Sequence, residues 1–142
     1  YYLVGNHENY DDMSTLRVDR IAHITVLSER RKPLREIKGY QQQRTFNVSQ
    51  YVKEHIYMFG GESIMVSFKA KRSIVNQILD WFDGNVEFSD VTPDDVVCRV
   101  RVNHHAFKYW ALQYMQSVKV LSPASLVTEV KEAIKEGLQQ YS

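Results

Sequence analysis

The chain has 142 residues, 44% of them hydrophobic and 25% charged, enough for one domain or two small ones with a real apolar core. Eighteen basic residues against seventeen acidic leave a formal charge of +1, so the global balance calls for neither nucleic acid nor a membrane surface. A single cysteine excludes an internal disulfide framework or a cysteine zinc site, and no apolar run reaches the roughly 18 residues a spanning helix needs.

The first residues, Tyr1 to Gly5, read as the middle of a strand, as in a piece of a longer protein. Residues 1 to about 7 and 16 to about 27 are rich in β-branched, aromatic and alternating positions, separated by the turn-like Asn9-Tyr10-Asp11-Asp12. Two or three strands are marginal alone, so this first region, residues 1–29, is expected to pair with other strands or with the second domain, as half of a small β-barrel.

Residues 30–44 change character. Arg30, Arg31, Lys32, Pro33, Arg35, Lys38 and Gly39 make a polar, basic run broken by Pro and Gly, a linker or mobile loop. A solvated connection is the plainer account of its charge; a phosphate-contacting patch is the alternative.

A periodic domain follows over residues 45–142. Ser49 to about Met58 is predicted as a short helix, capped by Asn47 or Ser49 and stopped by Gly60-Gly61. Glu62 to Ala70 alternates Ile64, Val66 and Phe68 against polar positions, a strand with one apolar face. Ile74, Val75, Ile78, Leu79 and Phe82 have the spacing of an amphipathic helix. Val86 to Val91 is a strand, Thr92 to Asp95 a turn, and Val96, Cys98, Val100 and Val102 mark the inner face of another strand, where Cys98 is expected as a buried structural thiol. Asn103 is a suitable N-cap for a helix burying Ala106, Phe107, Trp110, Ala111 and Tyr114, and Ser117 to Leu121 is a last strand. The order is βαββαβ. The predicted fold class is therefore α+β: partial barrel strands, then a ferredoxin-like sandwich with a terminal helix.

That terminal helix opens at Ser122-Pro123 and carries a stripe of Leu126, Val130, Ala133, Ile134, Leu138 and Tyr141. A helix left over after a complete βαββαβ unit must bury its stripe on the open sheet face or against a partner chain. Leu126, Val130, Ile134 and Leu138 are the candidate homodimer seam.

Catalytic constellations are scarce. The chain lacks a glycine-rich phosphate loop, HExxH and GxSxG. Adjacent His104 and His105 on a helix point about 100° apart and chelate poorly. His7, Glu8, Asp11 and Asp12 form a polar turn whose acids are more simply solvated. No metal, cofactor or enzymatic activity is expected, and Trp81 and Trp110 fall at core positions of their helices.

Tyr1-Tyr2-Leu3-Val4-Gly5, followed after a polar turn by Thr15-Leu16-Arg17-Val18-Asp19-Arg20-Ile21, resembles the two signatures of the WYL domain, with Tyr1 in place of the family's Trp. Thr45-Phe46-Asn47-Val48, Met58-Phe59-Gly60-Gly61-Glu62 and Leu121-Ser122-Pro123 resemble the C-terminal extension of the same transcription regulators. The resemblance implies the end of a WYL sensor domain with an Sm-like barrel, a basic linker and a C-terminal extension domain used in dimerisation or signal transmission. It also implies a helix-turn-helix DNA-binding domain upstream and a bacterial, cytoplasmic regulator, with no membrane contact. Its functional patch maps onto Tyr2, Arg17 and Arg20, with His7 as a neighbour, and implies a nucleotide or single-stranded nucleic-acid ligand. Arginine forks suit phosphate or carboxylate oxygens, and a tyrosine can stack or donate beside them. Strict strand alternation places Arg17 and Arg20 on opposite faces, so a joint site requires a bulge or turn near Asp19. The alternative is a spacer and dimerisation domain whose arginines are structural, held by Asp19 or a cross-strand ion pair.

Overall fold

The computed structural model describes all 142 residues and contains two antiparallel sheets and four α-helices. The first sheet is a hairpin of β1 (Tyr2–Asn6) and β2 (Met13–Arg17), paired from Tyr2 opposite Arg17 to Asn6 opposite Met13. Asn6 closes it by donating its side-chain amide to the carbonyls of Tyr10 and Asp12, both at 2.8 Å.

The strand predicted to run to Leu27 stops at Arg17. Val18–Arg20 forms a 3₁₀ turn and residues 21–29 have no regular structure, with Ile24, Val26 and Leu27 exposed. Their spacing suits a strand, but strand geometry needs a neighbour to take the backbone hydrogen bonds, and none lies alongside.

The connection is not wholly solvated either. Its basic side chains are exposed, yet Ile37 is buried with Met13 and Tyr51, and Leu34, Tyr40 and Phe46 pack around them. Lys38 N donates to Asp11 O at 2.8 Å, which ties the segment to the hairpin turn.

Helix α1 (Val48–Glu54) is capped by Asn47, whose Oδ1 accepts from Gln50 N at 3.0 Å. It ends at His55, five residues before Gly60, so Gly60-Gly61 is not its stop. A 3₁₀ turn at Ile56–Met58 intervenes, with Tyr57 and Met58 at positive φ.

The second sheet is built from β3 (Ser63–Lys71), β4 (Val86–Ser89), β5 (Asp95–Asn103) and β6 (Val118–Ser122). Helix α2 (Val75–Phe82) joins the first two strands and α3 (His104–Gln113) the last two. The strand order β4-β5-β3-β6, antiparallel throughout, is the ferredoxin-like arrangement that the βαββαβ order implies.

Alternation puts Val66, Phe68 and Ala70 of β3 and Val96, Cys98, Val100 and Val102 of β5 on the covered face. Ile78 and Phe82 of α2 and Phe107 and Trp110 of α3 meet them, all fully buried. The Phe82 and Trp110 rings cross edge to face at 4.8 Å, and Phe68 lies 5.2 Å from Phe107. Burial in this core raises the Cys98 thiol to about 11, consistent with an inert structural cysteine.

Helix α4 (Ala124–Gln139) covers neither the open sheet face nor nothing at all: it packs beside α3 and over β6. Leu126 and Val130 belong to the main core. The opposite sheet face, with Met65, Lys69, Arg99, Arg101 and Lys119, stays exposed.

Residues 43–142 contain the whole main core, whereas Tyr51 and Phe46 share theirs with Met13 and Ile37. A fragment starting at Gln43 is expected to unfold cooperatively in urea, with raised amide exchange confined to α1. A non-cooperative transition would place the domain boundary elsewhere.

Candidate functional site

At the open end of the hairpin, Tyr2 and Arg17 are direct cross-strand partners on one face. Val18 N donates to Tyr1 O at 3.1 Å and Ile21 N to Val18 O at 3.2 Å, so the chain leaves the strand through one 3₁₀ turn. Arg20 is the last residue of this turn, three positions on from Arg17.

The Arg17 guanidinium is partly engaged. Its Nε lies 3.0 Å from Asp19 Oδ1 and its Nη2 2.5 Å from Oδ2. This paired contact holds the Asp19 carboxyl below, and the Arg17 guanidinium above, its ordinary range. A guanidinium has five N–H donors, so three remain. Arg20 has no carboxylate partner among the ion pairs of the chain.

His7 is not part of this group. It follows the last residue of β1, so the length of the strand, about 16 Å, separates it from Tyr2. Its ring stands 5.6 Å from Tyr10 and its Nδ1 accepts from Asn9 N at 3.2 Å, which makes it a turn residue.

The proposed dimer seam divides in two. Leu126 is 0% and Val130 8% exposed, turned into the chain's own core, while Ile134 is 40% and Leu138 69% exposed. Only the last turns of α4 present apolar side chains to solvent.

The joint between hairpin and second sheet went unread in the sequence. Gly61 N donates to Met13 O at 3.3 Å, and a Cβ on Gly60 would stand 3.0 Å from that carbonyl, so β2 lies directly against the Gly60-Gly61 backbone. Gly61 has φ +106°, which side-chain-bearing residues rarely adopt. Thr15 and Tyr51 hydroxyls are 2.8 Å apart, a second tie between hairpin and α1.

Asn103, fully buried, donates its amide to Gly60 O at 3.1 Å and Glu62 O at 3.3 Å, while its Oδ1 caps α3 on Ala106 N at 3.0 Å. His55, also buried, stacks on Tyr51 and points Nδ1 at Tyr51 O and Nε2 at Gly61 O, at 2.8 and 3.0 Å. The adjacent glycines were the available signal. A pair of glycines marks close backbone approach as readily as a helix stop.

His104 and His105 stack on each other, and His104 Nε2 lies 2.8 Å from Glu129 Oε1 of α4, off the axis of a hydrogen bond. No three His, Cys, Asp or Glu side chains are grouped to hold a metal.

Compared with protein families, residues 49–138 match the WCX domain. The chain belongs to this family. The WCX domain is a C-terminal domain of WYL-domain regulators, which agrees with the two signatures in the hairpin. The match begins inside α1 and ends in the last turn of α4, so it takes in the complete ferredoxin-like unit. The chain is thus a regulatory C-terminal region rather than a member of an enzyme family. No curated protein matches it. No helix of the WCX domain or of the preceding segment is long and apolar enough to cross a membrane.

Proposed function

We propose that this chain is the sensing and dimerising region of a helix-turn-helix transcription regulator. It binds a nucleotide or single-stranded nucleic acid through Tyr2, Arg17 and Arg20, and modulates DNA binding by a domain elsewhere in the regulator. The carrying observation is the pairing of Tyr2 opposite Arg17 at the open end of the hairpin, with Arg20 three residues on at the end of the 3₁₀ turn Val18–Arg20. Three free N–H groups on Arg17, an unpaired Arg20 and a half-exposed Tyr2 ring suit phosphate oxygens beside a base. Dimerisation falls to the WCX domain, with the exposed Ile134 and Leu138 of α4 at the contact, since reading two DNA half-sites requires two-fold symmetry.

Replacing Arg17 and Arg20 together by alanine removes two charge-assisted contacts of about 1.5–3 kcal/mol each. Calorimetry with a panel of nucleotides and short oligonucleotides is expected to show affinity falling by at least about a hundredfold, with circular dichroism unchanged. Equal affinity in the double variant would refute the site.

A second reading, a spacer with structural arginines, is favoured by the Arg17–Asp19 fork alone. Asp19→Asn separates them: the sensor reading expects tighter anion binding as a competing carboxylate is lost, and the spacer reading expects a change in stability only.

A further inference from the structure

The charge of the segment between hairpin and WCX domain is not used by the fold. Residues 30–44 hold six of the chain's eighteen basic residues and one of its seventeen acids, so the segment carries +5 and the rest of the chain −4. None of the six takes part in an ion pair of the chain. Lys38 lines the cavity behind the joint of hairpin and WCX domain together with Asp12, Glu54, Glu62 and Arg101, so it has acids of its own nearby. Arg30, Arg31, Lys32, Arg35 and Arg44 remain, all of them exposed.

Like charges on a short stretch repel one another, yet the segment is held in a compact path. Ile37 is buried with Met13 and Tyr51, and Leu34 and Tyr40 pack against them. Glu36 N donates to Pro33 O, Ile37 N to Leu34 O and Tyr40 N to Ile37 O, each at 3.0 Å, and Gln43 N donates to Tyr40 O at 2.9 Å. These successive turns fold the segment back on itself, and an open cleft forms between residues 33–35 and 41–44. Arg35 and Arg44 both line it, beside Gln41, Gln42 and Gln43, and neither an acid nor an aromatic residue does.

The chemistry of the lining selects the partner. Arginine, lysine and glutamine side chains are those that hold phosphate oxygens and sugars in protein–DNA contacts. The unstacked bases of a single strand call for an aromatic platform, which the cleft lacks. An anionic membrane calls for apolar side chains exposed along the basic segment, whereas Leu34 and Ile37 pack inward. Duplex DNA presents regular phosphates with its bases stacked away, and it fits both absences.

We propose that residues 30–44 contact the sugar-phosphate backbone of duplex DNA without reading its sequence, through Arg30, Arg31, Lys32, Arg35 and Arg44. The inference rests on the chain being part of a DNA-binding regulator and not on the site of Tyr2, Arg17 and Arg20. Backbone contacts fix position on a duplex and add affinity without specificity, so the segment extends the footprint of the regulator beyond the bases its DNA-binding domain reads.

Fluorescence anisotropy of the full chain with a short labelled duplex, titrated with salt, tests it. Five neutralised phosphates give log affinity against log salt a slope of about −4.5, a loss of roughly 500-fold between about 50 and about 200 mM. Two duplexes of unrelated sequence are expected to bind equally. Arg35→Gln combined with Arg44→Gln should lower the slope by about 2 and weaken binding at least about tenfold at low salt, and Arg30→Gln combined with Arg31→Gln should do the same. All four side chains are exposed, so circular dichroism is expected to be unchanged. Arg17→Ala combined with Arg20→Ala should leave duplex binding intact, so a chain that binds the duplex but no nucleotide supports this contact while refuting the hairpin site. Absence of duplex binding at low salt, a slope unchanged in both segment variants, tighter binding of the corresponding single strand, or binding of phosphatidylserine vesicles without the duplex would each overturn the proposal.

Discussion

Val130→Glu is expected to destabilise the WCX domain strongly, whereas Leu138→Glu is expected to leave it folded and to dissociate the proposed dimer. Both residues lie on the stripe of α4, eight positions apart, and the pattern of apolar residues treats them alike. Their surroundings do not. Val130 is 8% exposed and packs in the main core, so a carboxylate there loses its water without gaining a partner. That costs on the order of 4 kcal/mol, a large share of the stability of a domain this size. A fall in melting temperature of at least about 15 °C follows.

Leu138 is mostly exposed, and its substitution alters monomer stability by no more than about 0.5 kcal/mol. Light scattering read beside circular dichroism distinguishes the two effects. A wild-type chain that is monomeric at high micromolar concentration refutes the dimer; a Val130 variant with the melting temperature of the wild type contradicts the packing of α4.

Asn103→Ala is the second change with a large expected effect, because one buried side chain serves three backbone groups. Its oxygen caps α3 and its amide holds the carbonyls of Gly60 and Glu62 on either side of Gly61. Loss of the cap costs about 1 kcal/mol, and loss of the two part-buried bonds to the Gly60 and Glu62 carbonyls adds about 1–3 kcal/mol. A total of about 2–4 kcal/mol is expected in urea unfolding. Amide exchange should also rise at Gly61, whose N–H is held by Met13 O of the hairpin. Asn103→Asp keeps a capping oxygen but loses both amide donors, so it should retain α3 while loosening the Gly60-Gly61 loop. Wild-type exchange at Gly61 in both variants would show that Asn103 does not hold the joint.

The sequence by itself determined the WCX domain well. The strands and helices from Ser63 onward come from local periodicities of 2 and 3.6, and they are complete within the segment, so the βαββαβ order leads to the observed strand order. Asn47 and Asn103 were legible as caps because a cap bonds two or three residues along the chain. Tyr2, Arg17 and Arg20 were legible only through the WYL signatures. Strand alternation called for a bulge or turn near Asp19 if the two arginines are to share a site, and the chain makes a 3₁₀ turn there, at Val18–Arg20.

Tertiary structure alone decided the rest. Residues 21–27 have strand-like spacing without a strand, because sheet formation depends on a neighbour that local pattern does not contain. The stripe of α4 is continuous in sequence, but its division into a buried half and an exposed half follows from where α3 and β6 end beneath it. The cavity behind the joint of hairpin and WCX domain joins Asp12 to Glu54, Glu62 and Arg101, residues up to 89 positions apart along the numbered chain. Contacts of that separation are made by packing three segments together, and no periodicity of any one segment encodes them.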